Sequence, residues 1–351
     1  MQYLEVKRKD AEKAKAFLGK HEMLAKGFKV LHSARYVYFP LTISSATNKN
    51  LAHFPKSIWM KRIELETEKS TSTRRNDYRK AIGDILSSEE QKELAKGYDP
   101  FGNIALIEIS DSLKGKEKEI GNAIIEGSST IRTVLAKSGP VKGIYRTRSV
   151  RYVAGERTYI ARYKENGCLF EFDIRKVFFS PRLSYERARI SKLVKNGEAV
   201  AVPFAGVGPF AIEIAKAHPN SEVTAIELNP KAFTYMLKNV VLNKVKNVKA
   251  FKGDFLSLAG AHKGFADRVV MPTPKTSLDF IGAACMIAKN SAFFHIYTFC
   301  DSEQVKNKID DIKSKFEQYG RSFTLISVRT VRPYSKNEIE IVVDVKATKK
   351  Q

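Results

Sequence analysis

A chain of 351 residues exceeds the usual length of one domain, and its 43% apolar content suffices for more than one core. Sixty-one Lys and Arg against 38 Asp and Glu leave a net +23, too basic for an enzyme handling only small neutral metabolites, and nucleic acid becomes the first partner to consider. The longest apolar run, residues 280–288, is too short to span a bilayer, and the first fifteen residues hold no signal-peptide core. Cys168, Cys285 and Cys300 are scattered without ligand spacing, which predicts buried free thiols in a cytoplasmic protein, no metal and no membrane. No exposed apolar stripe asks for a protein partner, so a monomer is expected.

Taken in order, residues 1–62 read as a small basic domain with a helix over Ala11–Leu24 and a strand over Tyr36–Leu41. Lys7, Arg8, Lys9, Lys13, Lys15, Lys20, Lys26 and Lys29 suit either contact with RNA or a solvated face. Residues 63–77 lose apolar periodicity and become rich in Ser and Thr, as a linker does. Residues 78–165 read as an α+β middle domain: a strand over Asn103–Ile109, a helix over Lys116–Ile125 and a strand over Ile131–Leu135. An alternating stretch follows, in which Arg146, Arg148, Arg151, Arg157 and Arg162 are interleaved with Tyr145, Tyr152, Tyr159 and Tyr163. On β-ribbons that pattern suits phosphate contact and base stacking, or simply a basic sheet face. Glu171–Phe179 reads as a strand, and Ser180-Pro181 as the entry to a helix that continues through Ile190 and Leu193 to Gly197.

The stretch 201–210, AVPFAGVGPF, is a strand, a glycine turn and a helix start, the arrangement in which backbone can approach a ligand closely. Nineteen residues after Gly208, the strand Glu222–Glu227 ends in a carboxylate placed to accept from two ribose hydroxyls. A third strand closes at Gly253-Asp254. Together these describe a nucleoside pocket for a dinucleotide or for S-adenosylmethionine. Ala211 stands where a pyrophosphate-binding turn has its third glycine, which favours S-adenosylmethionine. Phe233, Met236, Leu237, Val240 and Val241 keep helical spacing and read as core. Strands over Arg268–Met271 and Phe293–Phe299, a helix over Ile309–Tyr319, and an antiparallel pair over Phe323–Arg332 and Glu338–Val345 complete a domain from 166 to 351. The fold class is α/β: a Rossmann-like class I methyltransferase domain preceded by the basic and the α+β domains.

With those residues in place, the chain resembles the archaeal and eukaryotic type of tRNA (guanine37-N1)-methyltransferase. The resemblance rests on NGC at 166–168, FSPRLSYER at 179–187, PFAGVGPF at 203–210, AIELNP at 225–230, GDF at 253–255 and VRPYS at 331–335. It implies methylation of guanosine next to the anticodon, with S-adenosylmethionine as cofactor and tRNA, through its anticodon stem-loop and outer corner, as partner. It implies Glu186 as general base and Arg146 as the group that stabilises charge on guanine O6. Cofactor contacts are implied at Arg187, Phe204, Ala205, Gly206, Gly208, Glu227, Leu228, Asp254, Phe255 and Pro272. RNA contacts are implied at Arg148, Arg182, Pro274 and Lys275. The chemistry is consistent with these roles, because guanine N1 carries a proton and becomes a nucleophile only as a carboxylate removes it. Two departures from the family pattern stand out: Pro272 replaces an asparagine and Val202 replaces an acid. Sister enzymes that transfer an aminocarboxypropyl group to a wyosine precursor, or methylate a carbon of it, are the alternative. A tRNA-binding protein without catalysis is the non-enzymatic one.

Overall fold

In the computed structural model, residues 2–25, 30–32, 36–42, 54, 55, 57, 58, 60–64, 82, 83, 85–95, 97–140, 143–335 and 337–350 are described. Two units divide the chain, residues 1–80 and 81–351. In the first, Gln2–Lys7 (β1), Leu31–His32 (β2), Tyr36–Pro40 (β3) and Met60–Glu64 (β4) form a sheet in the order β2-β3-β1-β4, antiparallel at every pairing. Ala11–Lys20 (α1) turns Ala14 and Leu18 onto Leu4, Val6 and Phe39 of that sheet. The helix stops four residues short of the expected Leu24, where His21 and Glu22 turn and Glu22 takes φ 51°. Lys7, Arg8, Lys9, Lys13, Lys15 and Lys20 are exposed. Lys26, Lys29 and residues 65–77 of the expected linker lie outside the described residues, whereas Ile63 and Glu64 extend β4.

The second unit begins with Ser88–Glu93 (α2), whose N-terminus is closed by a reciprocal pair of bonds between Ser87 and Glu90. Asp99–Phe101 (β5), Ile104–Ile107 (β6), Thr133–Lys137 (β7) and Val150–Gly155 (β8) pair in chain order, and Glu117–Glu126 (α3) makes the crossover between parallel β6 and β7. Ile160–Glu165 (β9) and Cys168–Asp173 (β10) form a hairpin across Asn166-Gly167, both at positive φ as a two-residue primed turn requires. β10 ends six residues before the expected Phe179. The Asp173 carboxylate accepts from the Arg175 backbone N–H at 3.0 Å and its carbonyl from that of Lys176, closing a turn that competes with the strand. The expected domain boundary between residues 165 and 166 falls inside this hairpin. Phe170 and Phe172 share one core with Phe101, Leu106 and Leu135 on one side and Val207 and Ile212 on the other, so middle and C-terminal parts form one unit.

The large sheet contains Ala199–Pro203 (β11), Glu222–Glu227 (β12), Val248–Lys252 (β13), Ala266–Met271 (β14), Ala288–Asp301 (β15), Thr324–Pro333 (β16) and Glu338–Thr348 (β17). Its order is β13-β12-β11-β14-β15-β17-β16, parallel through β15, with β17 antiparallel to both neighbours. The interleaving helices are Ser184–Leu193 (α4), Pro209–Ala217 (α5), Pro230–Leu242 (α6), Phe255–Ala259 (α7), Ile281–Ile287 (α8) and Val305–Gln318 (α9). One sheet face packs Ile190, Phe210, Ile214 and Met236 over β11 and β12, while the other packs Ile281, Ile287, Ile312 and Phe316 over β14, β15 and β17. Strand order reverses at β11, so the crevice of this sheet opens beyond the carboxyl ends of β11 and its neighbours. Cys168, Cys285 and Cys300 are buried free thiols, and burial pushes Cys168 and Cys285 each up to about 11. Among the described residues no helix is long and apolar enough to cross a membrane.

Candidate active site

β11 leaves the sheet at Pro203, and Phe204, Gly206 and Gly208 take φ values of 61°, 60° and 90°. Gly208 starts α5 with Pro209 in its first turn. A β-carbon on Gly208 would stand 2.9 Å from Ile212 Cδ1 and 3.0 Å from Met236 Cγ, so both conformation and packing select glycine. The buried Ala205 donates its N–H to the Ile226 carbonyl at 3.0 Å and fixes the turn against β12. At the end of β12 the Glu227 carboxylate accepts from the Gly206 N–H and the Asn229 N–H, each at 2.7 Å. Two of its roughly four lone-pair sites are thereby used, which leaves acceptors for a vicinal diol. Burial raises the Glu227 pKa, and the backbone N–H groups of Asn229, Gly206 and Leu228 oppose that shift. Leu228 is exposed beside it, and Asn229 caps α6. Asp254 caps α7 by accepting from the Ser257 N–H at 3.2 Å. Phe255 is buried, its ring centroid 5.7 Å from that of Phe204, which in turn lies 4.6 Å from Phe280. After β14, Pro272 is half-buried, Pro274 is buried with its carbonyl accepting from the Phe299 N–H at 3.2 Å, and Lys275 is exposed.

The segment after β10 lies against this turn. The Phe178 carbonyl oxygen is 3.8 Å from where a β-carbon of Gly206 would be, and Asn229 donates its side-chain amide to the Lys176 carbonyl. Arg146 places its guanidinium 4.2 Å from the Phe178 ring centroid, and Arg148 places its own at 5.0 Å. Arg148 also donates to the Phe179 carbonyl at 2.8 Å, while its Nη1 is buried without a partner in the structure. Burial lowers both guanidinium pKa values, that of Arg148 to about 10. Neither residue stands on a ribbon as expected: Arg146 closes a turn at φ 51°, and Arg148 lies in the irregular segment between that turn and β8. The other arginines of that stretch are differently used. Arg151 pairs with Glu117, Arg162 with Glu171 at 3.3 Å, and Arg157 lies 5.9 Å from the Tyr152 ring centroid. Arg182 pairs with Asp99 at 2.7 Å.

On α4, Glu186 is 4% exposed. Arg189, one helical turn on, donates Nε to Glu186 Oε2 at 2.9 Å and to Oε1 at 3.2 Å. The Tyr297 hydroxyl on β15 donates to Oε2 at 3.2 Å, and Arg329 Nε on β16 stands 4.0 Å from Oε1. Tyr297 also packs its ring 5.8 Å from that of Phe210, the second residue of α5. Arg187 takes the opposite direction. Its buried guanidinium donates to Glu165 at 2.6 Å and to the Ser180 carbonyl at 3.1 Å, and its Nε lies 3.5 Å from Glu213. That placement braces α4 against β9 and α5. Arg189, Tyr297 and Arg329 are neighbours of Glu186 that sequence reasoning missed; the three-residue spacing from Glu186 was a usable signal for Arg189 alone.

Comparison with known proteins bears on this arrangement. The TRM5/TYW2 methyltransferase domain matches residues 161–326, the TYW2 N-terminal domain residues 78–158, and the tRNA methyltransferase 5 N-terminal domain residues 4–47. The tRNA (guanine(37)-N(1))-methyltransferase Trm5b of Pyrococcus abyssi is 34% identical over 82% of this chain and 84% of its own. Its namesake from Methanocaldococcus jannaschii is 30% identical over 99% of both chains. The tRNA 4-demethylwyosine(37)-methyltransferase Taw21 of Saccharolobus solfataricus is 31% identical over 75% of this chain and 98% of its own. Among solved structures, P. abyssi Trm5b superimposes with a TM-score of 0.71 at 29% identity, covering 99% of each chain. A complex of aTrm5 with tRNALeu gives 0.67 at 28% identity over 99% of each chain, and M. jannaschii Trm5 bound to adenosine gives 0.66 at 27% over the whole of both. A sheet of this order, a glycine turn answered by Glu227 and relatives at least 30% identical over 82% and 99% of the chain have one reading: the chain belongs to the TRM5/TYW2 methyltransferase family.

Proposed function

We propose that the protein methylates N1 of guanosine 37 in tRNA, using S-adenosylmethionine. The observation that carries this reading is that Arg146 is linked to the glycine turn and Glu186 to the helix that the turn opens, each through one intervening residue. Arg146 lies over Phe178, whose carbonyl faces Gly206, and Glu186 is bonded to Tyr297, whose ring faces Phe210. A guanidinium and a buried carboxylate linked to one strand, turn and helix suit a base that must lose one proton and develop charge on the neighbouring oxygen.

The chain's residues fit the cofactor by their donor and acceptor chemistry. The open acceptor sites of Glu227 would hold the ribose hydroxyls, Leu228 and the Phe204–Phe255 pair would flank the adenine, and Asp254 would accept from its amino group. Bound there, the cofactor supplies a methyl group on a positively charged sulfur, which departs as a neutral thioether. Glu186 takes the N1 proton of guanine, the N1 electron pair forms the new bond to carbon, and the guanidinium of Arg146 donates to O6 as negative charge grows there. Arg148, Arg182 and Lys275 would meet the RNA, Arg182 with its charge shared with Asp99.

A second reading has its own observations. Pro272 stands where the family resemblance implies an asparagine, so the loop 272–275 offers backbone in place of a side-chain amide, and a relative matched over 75% of the chain is named a tRNA 4-demethylwyosine(37)-methyltransferase. The test is incubation of the purified protein with methyl-labelled S-adenosylmethionine and a tRNA transcript bearing guanosine 37, followed by digestion and mass analysis. Formation of 1-methylguanosine, absent when guanosine 37 is replaced by adenosine, supports the proposal. No product on guanosine, with methyl or aminocarboxypropyl gain on a wyosine precursor, replaces it with the second reading.

A further inference from the structure

Beneath Glu186 runs a chain of buried polar groups that no catalytic role has absorbed. Asp344 on β17 stands in register with His295 on β15 and with Ser327 on β16, so three adjacent strands present side chains to one point. Asp344 Oδ1 accepts from His295 Nδ1 at 2.6 Å, and its Oδ2 from Ser327 Oγ at 2.8 Å and from Arg189 Nη1 at 2.7 Å. His295 Nε2 meets Arg268 Nη1 at 2.7 Å, and Arg268 is held by Glu198 at 2.8 Å and by the Leu193 carbonyl. A guanidinium only donates, so Nε2 must accept and the imidazole is neutral with its proton on Nδ1. A second proton on this ring would face the Arg268 cation. The order is therefore carboxylate, guanidinium, neutral imidazole, carboxylate, guanidinium, carboxylate, from Glu198 to Glu186. Glu186, Asp344, His295 and Arg268 are each no more than 4% exposed.

We propose that Asp344 and Tyr297 are positioning residues that set the basicity of Glu186: Asp344 takes both Nη groups of Arg189, so the guanidinium meets Glu186 through Nε alone and not fork to fork. The inference rests on the reading of Glu186 as the general base. A carboxylate paired with an undivided arginine is a weak base, whereas one sharing that arginine with a second, permanently charged carboxylate keeps its affinity for a proton. Tyr297 acts in the opposite sense, since its hydroxyl stabilises the anion. The charged or titratable groups that face Glu186 are Arg189 on α4, Tyr297 on β15 and Arg329 on β16, with Asp344 on β17 behind Arg189.

The two variants must then move the acid limb of the rate profile in opposite directions. Single-turnover methyl transfer to the guanosine 37 transcript is measured from pH 5 to 9 at saturating tRNA and cofactor. For Asp344→Asn, the limb moves down by about one pH unit and the plateau rate falls about tenfold or more, while cofactor affinity stays within about twofold. For Tyr297→Phe the limb moves up by a fraction of a unit. Loss of fold quality alone lowers the plateau of both without moving the limbs apart. An unmoved limb in Asp344→Asn, or shifts of the same sign in both, overturns the proposal. Should Asp344→Asn fail to fold by circular dichroism, the isosteric Tyr297→Phe decides, and an unmoved limb there overturns it. Wild-type protein that methylates no guanosine fails the functional reading and this inference with it, whereas wild-type product with unmoved limbs overturns this inference alone.

Discussion

At the scale of single residues, the acid Glu186 is held by donors on both oxygens and is almost wholly out of solvent, a state that costs free energy unless each lone pair is used. Glu186→Gln keeps the shape but can no longer accept a proton. Methyl transfer should therefore fall by about 100-fold or more, the usual worth of a positioned base, while calorimetric titration returns an affinity for the cofactor within about twofold of wild type. Transfer at the wild-type rate would remove Glu186 from the chemistry. The acid was singled out in the sequence through the family resemblance carried by the run at 179–187, and the structure buries it. Its partners were not singled out. Tyr297, His295 and Asp344 sit in alternating apolar strands and read as ordinary sheet residues, and their convergence is set by strand register rather than by local pattern. Arg187 misled in another way. It follows Glu186 directly, and on a helix that adjacency turns the two side chains away from each other, sending Arg187 to Glu165 and Glu213.

Elements carry the next level of constraint. The strand, turn and helix of 199–217 were legible because glycine spacing and a proline at the helix start describe backbone directly. The ribbon expected around Arg146 was not found, since the alternation there reflects a turn and a short strand rather than a hairpin. At the turn, Gly208→Ala forces φ 90° on a residue with a side chain and presses its methyl on Ile212 and Met236. A loss of about 1–3 kcal/mol in urea unfolding is expected, with weakened cofactor binding, whereas the same change at the exposed Gly19 should cost nothing comparable. The joint between α4, α5 and β9 gives a pH-dependent prediction. Burial, followed by the Glu165 charge, raises Glu213 to about 8, so the folded state favours its protonated form. Against an unfolded value near that of free glutamate, this contribution is complete below about pH 4.5 and is lost as pH rises through about 8. Glu213→Gln keeps an amide that can donate to Glu165 and removes the titration. Urea midpoints from pH 5 to 9 should rise relative to wild type as pH increases, and parallel curves would show that Glu213 is ionised throughout.

For the whole molecule, the surplus of +23 is the property most directly tied to an RNA partner, yet counting charges overstates what is available to phosphate. Arg151, Arg162, Arg182, Arg187, Arg189 and Arg268 all lie against carboxylates, so they serve internal geometry first. What remains includes the exposed cations of the first unit, Arg8, Lys9, Lys13, Lys15 and Lys20, and Lys275 after β14. If these neutralise phosphates, each releases condensed counterions, and the logarithm of the association constant falls linearly with the logarithm of salt concentration. A protein making about six phosphate contacts should lose roughly a thousandfold in tRNA affinity between about 50 and 200 mM salt. Replacing Lys13, Lys15 and Lys20 together by glutamine should flatten that slope by about two to three contacts while leaving cofactor affinity unchanged, because the three stand on a helix of the first unit and the nucleoside turn belongs to the second. Filter binding across a salt series measures both slopes. An unaltered slope would assign the first unit's basic face to solvation and leave phosphate recognition to the second unit, where Lys275 and the arginines before β8 become the cations to replace next.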